Sequence, residues 1–136
     1  MNRNYWLDNA EQLRFPQKTK YLAVTLDLET DYATGKTECL DKSGQIVEYL
    51  NNKVSNFTVF CEGNIFRVEH PILKELEDAG GDMQLHCNDH RNGPDNISYF
   101  KKSLEAYIHY YKKKPLGYRA GNFKMNKTLL QAVIDE

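Results

Sequence analysis

Short apolar runs alternate along this chain with stretches of helical periodicity, and that alternation restricts its fold more than any other feature. Tyr21 to Glu29 alternates with period two and predicts a first strand. Residues 30–44 read as a long loop, after which Ile46, Val47 and Leu50 fall at helical spacing within 43–53. Asn56 to Glu62, rich in β-branched and aromatic residues, predicts a second strand. The stretch from His70 to Gly81 reads as a helix with proline in its first turn and glycine at its C-terminal cap. Asp82 to His86 makes a third strand, and residues 92–96 make a loop. A long helix follows from Ile97 to Lys113, with Phe100, Leu104, Tyr107, Ile108 and Tyr111 on its apolar stripe. Pro115 stops it, Leu116 to Ala120 is a fourth strand, and Lys124 to Glu136 is helical again.

The order β-α-β-α-β-α-β-α favours a parallel sheet with helices outside it. Each such unit takes roughly 30 residues, so this length accommodates about four. A closed eight-unit barrel typically needs about 250. The pattern therefore reads as four units of something larger, or as an open sheet. Residues 1–20 are polar and aperiodic and form an expected N-terminal arm, leaving 21–136 as the domain.

Charge and cysteine content exclude several classes. Lys and Arg number 18 against 19 Asp and Glu, a net charge of −1, so no nucleic-acid footprint is expected. The Lys112–Lys114 run closes a predicted helix, where cations suit the dipole. No apolar run approaches the roughly 18–20 residues that span a bilayer, so no membrane partner is expected. The first residues lack the apolar core of a signal peptide, and the 3 cysteines show no paired short spacing. A cytoplasmic protein without a disulfide framework is the expectation, and the sequons at Asn56, Asn96 and Asn126 carry little weight.

Functional groups in parallel α/β proteins gather at the C-terminal ends of strands. On the first strand, Leu22, Val24, Leu26 and Leu28 share one face and are expected to pack against helices. Ala23, Thr25, Asp27 and Glu29 share the other. Asp27 and Glu29 repel each other at the strand exit unless a cation or proton lies between them. The third strand runs into His86 and, four residues on, His90. Two imidazoles plus a carboxylate form a ligand set of the catalytic-zinc type. Asp31 and Asp89 are alternative carboxylates. Cys87, next to His86, reads as a small buried residue, His70 as a helix cap, and His109 as a surface or core residue of the long helix. Arg119 ends the fourth strand, where its guanidinium can orient a catalytic carboxylate. Gly121 allows a close turn, so that a following N–H near Asn122 can face an oxyanion.

Four segments in this order resemble the polysaccharide deacetylase family, carbohydrate esterase family four. Val24-Thr25-Leu26-Asp27-Leu28-Glu29 resembles the first motif, usually Thr-Phe-Asp-Asp-Gly. Phe57-Thr58-Val59-Phe60 resembles Ala-Thr-Phe-Phe. His70-Pro71 through Gly80, followed by His86 and His90, is similar to the helix and His-x-x-x-His motif. Arg119-Ala120-Gly121 resembles Arg-x-Pro. Leu28 stands where the first motif has its second Asp, with Glu29 restoring a carboxylate on the same face, and Gly121 replaces the proline.

The resemblance implies the N-terminal part of a distorted (β/α) barrel, incomplete in this chain, that removes N-acetyl groups from carbohydrate with a divalent metal, zinc foremost. Asp27 matches the general base, Arg119 the residue orienting it, His86 and His90 metal ligands, with Glu29 as the third. The family's later Asp-Trp and Leu-His segments, the latter supplying the general acid, are not present. The chain alone is therefore expected to bind metal but deacetylate poorly. A hydrolase of another non-peptide C–N bond, or a non-catalytic carbohydrate-binding or assembly module keeping the metal pocket, are the alternatives. Exposed apolar edges of a partial barrel favour self-association, so a homodimer is the expected assembly.

Overall fold

A computed structural model describes residues 22–88 and 96–136. The expected arm at 1–20, most of the 92–96 loop, Asp89 and His90 lie outside the described residues. Strand β1 covers Thr25–Leu28, helix α1 Gly44–Lys53, β2 Phe57–Cys61, α2 Gly63–Arg67, α3 Ile72–Asp78, β3 Gly81–Leu85, α4 Ile97–Tyr111 and α5 Lys127–Asp135. The strands form a sheet in the order β1-β2-β3, parallel throughout. The right-handed crossover logic of βαβ units produces this order from the sequence pattern.

The two faces of the sheet differ. Leu26 and Leu28, Phe57, Val59 and Cys61, and Met83 and Leu85 point to one side, where they join Ile65, Phe66, Leu104, Tyr107 and Leu129 in the core. Each such side chain, fully buried, contributes roughly 1.5–3 kcal/mol. Tyr107 adds a hydrogen bond from its hydroxyl to the carbonyl of Met83 at 2.9 Å and an edge-to-face contact with Phe66. The opposite face carries Thr25 and Asp27, Thr58 and Phe60, and Asp82 and Gln84, with Asp27, Phe60 and Gln84 side by side in register. A parallel sheet covered by helices on both sides is apolar on both. A half-polar second face is what a barrel interior with a site in it requires.

Two glycines are dictated by space. A Cβ at Gly63 would stand 2.6 Å from Cβ of Ser103, so α2 crosses α4 only with glycine there. Gly80 has φ +95° and ends α3, as its place after the helix pattern predicts, and a Cβ there would meet the carbonyl oxygen of Ser55 at 2.6 Å.

Several expectations need correction. The first strand is shorter than 21–29, and Leu22 is 88% exposed instead of packed against helices. Helix α1 buries Leu50 but leaves Ile46 half exposed. The short helix α2 has no counterpart in the predicted elements, because five residues are too few to show a period. The fourth strand is reduced to a single parallel bridge between Leu85 and Tyr118. Leu85 N–H donates to Gly117 O at 3.2 Å, and Arg119 N–H donates to Leu85 O at 3.0 Å. Upstream of that bridge, the N–H groups of Leu116 and Gly117 go to the side-chain oxygen of Gln84 at 2.9 and 2.8 Å, which replaces a continued ladder. No helix among the described residues is long and apolar enough to cross a membrane.

Candidate active site

Asp27 sits on the last turn of the pleat in β1, with its side chain on the half-polar face. Arg119 arrives from the bridge segment and forms an ion pair with it through Nη1, while Nη2 donates to the hydroxyl of Thr25 at 3.1 Å. The guanidinium carbon lies 4.0 Å from the centre of the Phe60 ring. Phe60 is the register partner of Asp27, so the ring fills the space between the carboxylate's strand and β3 and gives the guanidinium a flat support. Gln84 holds the segment that carries Arg119, and its own amide donates to Asp82 at 2.9 Å.

His86 is the first residue past β3 and is 1% exposed. Its Nδ1 is 2.6 Å from the carbonyl oxygen of Arg119. A carbonyl only accepts, so Nδ1 carries a proton and the ring orientation is fixed. Nε2 then faces Oε1 of Glu29 at 3.2 Å. Between an imidazole lone pair and a carboxylate there must be a proton or a cation. Ligand atoms of Asp27, Glu29 and His86 all lie within 4.8 Å of one another.

The structure thus brings together four of the residues the sequence singled out: Asp27, Glu29, His86 and Arg119. His90 lies outside the described residues. Asn122 is exposed in a short 3-10 turn, Gly121–Phe123. The left-handed backbone there belongs to Asn122 (φ +52°) and Phe123 (φ +55°), whereas the expected turn residue, Gly121, is not among the positive-φ positions. Two successive non-glycines in this region store strain of order 1 kcal/mol or more each.

The remaining candidates take structural roles. His70 Nδ1 accepts from Ile72 N–H at 3.2 Å at the start of α3, and its Nε2 lies 3.3 Å from Asp41. His109 is exposed on α4. Cys87 is buried with its thiol directed at Glu62, 3.8 Å away. Burial, then the nearby Glu62 charge, pushes the Cys61 thiol well up, which keeps it protonated and unreactive. Thr25 shares the period-two face of Asp27, so its role was readable from the strand pattern. Gln84 and Phe60 were not, because their partners come from distant segments.

No protein-family model matches the sequence, and no curated protein matches it. Solved structures do. A family 4 carbohydrate esterase from Streptomyces lividans in complex with acetate is similar at TM-score 0.63 and 18% identity, over 85% of this chain and 58% of that one. A family 4 acetyl xylan esterase from Clostridium thermocellum in complex with a cobalt ion gives TM-score 0.59 and 17% identity, over 83% and 54%. A family 4 pseudoenzyme from Bacillus anthracis gives TM-score 0.62 and 17% identity, over 83% and 40%. At these identities the likeness establishes the fold: this chain has a partial (β/α) barrel of the kind found in family 4 carbohydrate esterases. It spans about half the length of the solved structures it resembles. Because that fold serves both enzymes and a pseudoenzyme, function has to be argued from the site residues.

Proposed function

We propose that this chain is part of a metal-dependent hydrolase that removes N-acetyl groups from carbohydrate. The observation that carries the reading is the Asp27–Arg119 ion pair set beside the Glu29–His86 pair on the polar face of a family 4 sheet. Glu29 and His86, joined by His90, are the proposed ligands of a divalent cation, zinc in the first instance. The donor set fits. With bonds of about 2.0–2.1 Å, neighbouring ligands of a tetrahedral ion stand about 3.3 Å apart, close to the 3.2 Å between His86 Nε2 and Glu29 Oε1.

Such a cation, when bound, supplies the Lewis acidity that brings a water's proton loss toward neutral pH. Asp27 is the general base that takes that proton as oxygen attacks the acetyl carbon. Arg119 orients the Asp27 carboxylate by a charge-assisted contact and is itself steadied by Thr25 and Phe60. The backbone N–H at Asn122 is the proposed donor to the oxyanion that develops on the acetyl oxygen; its collapse breaks the C–N bond, and the departing sugar amine draws its proton from solvent where the Leu-His general acid is not present. The acetate held by the Streptomyces lividans structure supports acetyl as the group recognised.

The Bacillus anthracis pseudoenzyme favours one second reading, a carbohydrate-binding module that keeps the pocket without turnover. Acetate release from an N-acetylated chito-oligosaccharide, with zinc or cobalt supplied, separates the readings. Release by the wild type that disappears in Asp27→Asn supports the hydrolase. Equal oligosaccharide binding by both proteins, with no acetate from either even when imidazole is supplied as an external general acid in place of the Leu-His segment, supports the module. Release from small amides but not from the sugar moves the activity to another non-peptide C–N bond.

A further inference from the structure

Glu62 is the first residue past β2 and is 1% exposed, yet it has no part in the chemistry assigned above. Its Oε2 accepts both the main-chain N–H and the hydroxyl of Thr30, each at 2.8 Å. Its Oε1 accepts from the thiol of Cys87 at 3.8 Å. Thr30 directly follows Glu29, and Cys87 directly follows His86. One buried carboxylate just past the central strand therefore ties together the neighbours of the two candidate ligands.

The backbone runs the same way. Glu62 N–H donates to Leu28 O at 3.0 Å, His86 N–H to Cys61 O at 2.9 Å, and Gly63 N–H to Cys87 O at 3.1 Å. These bonds keep the three segments in register past the ends of the strands, and the Glu62 side chain extends that register to Thr30. Burying a carboxylate is costly unless donors satisfy it. The flanking interior positions Cys61 and Ile65, both 0% exposed, are filled by apolar groups, so packing alone does not call for an acid here.

We propose that Glu62 is a positioning residue that fixes the separation of Glu29 and His86, and through it the affinity of that pair for a divalent cation. The proposal rests on the metal-binding reading of the site given above. Partners lying behind metal ligands set their orientation in general, and losing them typically costs 10–100-fold in affinity.

The test is a cobalt(II) titration of the full chain followed by visible absorption, with circular dichroism of the metal-free protein as the check on folding. Glu62→Ala is expected to bind about 10-fold more weakly or worse, with an altered cobalt spectrum. Glu62→Gln keeps an oxygen for both Thr30 donors and is expected to stay within about threefold of wild type. Thr30→Val removes the hydroxyl alone and is expected to weaken binding about fivefold. It also supplies the answer if Glu62→Ala does not fold. Wild-type affinity and spectrum in the folded Glu62→Ala protein, or in Thr30→Val, overturn the proposal. A loss in Glu62→Gln as large as in Glu62→Ala also overturns it, because charge instead of geometry would then be what matters. A wild type that takes up no cobalt defeats the metal reading itself, and this proposal with it.

Discussion

His86 donates its Nδ1 proton to the main-chain carbonyl of Arg119 at 2.6 Å, while the side chain of the same arginine turns onto Asp27. One residue thus aligns the imidazole with its backbone and the carboxylate with its guanidinium. The two functions are separable by substitution, because only the second depends on the side chain.

Arg119→Lys should leave the carbonyl bond to His86 intact and remove the contacts to Thr25 and Phe60. Cobalt affinity is expected to stay near the wild-type value while acetate release falls about 10²-fold or more, the scale of a misplaced general base. Parallel titration and turnover assays read the split. An equal loss in both would mean that the side chain also shapes the ligand pair.

His86→Ala removes the nitrogen that faces Glu29. Metal content by mass spectrometry on chelator-free protein is expected to be near one ion per wild-type chain and close to none in the variant. Metal retained by the variant would place the ligands elsewhere.

Gln84→Ala strands the N–H groups of Leu116 and Gly117, both of which its side chain accepts. Leu116 is exposed and Gly117 half-buried, so water can take up the freed donors and each lost bond costs about 0.5–1.5 kcal/mol. Urea denaturation should show a loss in that range, together with weaker activity, since the same segment delivers Arg119. Gly63→Ala attacks another junction: its Cβ would stand 2.6 Å from that of Ser103, and forced overpacking of this kind costs about 1–3 kcal/mol.

Alkaline stability follows from the tyrosines. Burial, with smaller contributions from Asp82 and Glu77, pushes Tyr107 up to about 12, and burial likewise raises Tyr111 and Tyr118. An unfolded tyrosine titrates near 10, so between there and the folded value the native state holds the extra protons. Stability is complete below about pH 10 and should decline as pH rises toward 12. The urea midpoint measured across that window should fall, and Tyr107→Phe should make the fall shallower.

Much of the site is legible in the sequence because strand exits are predictable from period two. Asp27, Glu29 and His86 follow from it directly, and Arg119 follows from the break at Pro115. Gln84, Phe60 and Glu62 are not, since each acts on a residue at least 25 positions away, and local pattern holds no trace of such pairs. The same holds for the fourth strand. Its composition suits a strand, but Gln84 takes two of its N–H groups, so the ladder shrinks to one bridge.

The Asp27–Arg119 pair joins residues 92 positions apart, with every described element except α5 lying between them or beside them in the chain. Contacts of such separation close large loops and form late in folding. No fragment that stops short of Arg119 holds the pocket, so the pocket appears only once the two ends of that span have met. Any ligand lodged among these side chains would bind the finished fold and ignore the open chain. At a hundred times its dissociation constant it would add about 2.7 kcal/mol to the stability of the whole molecule.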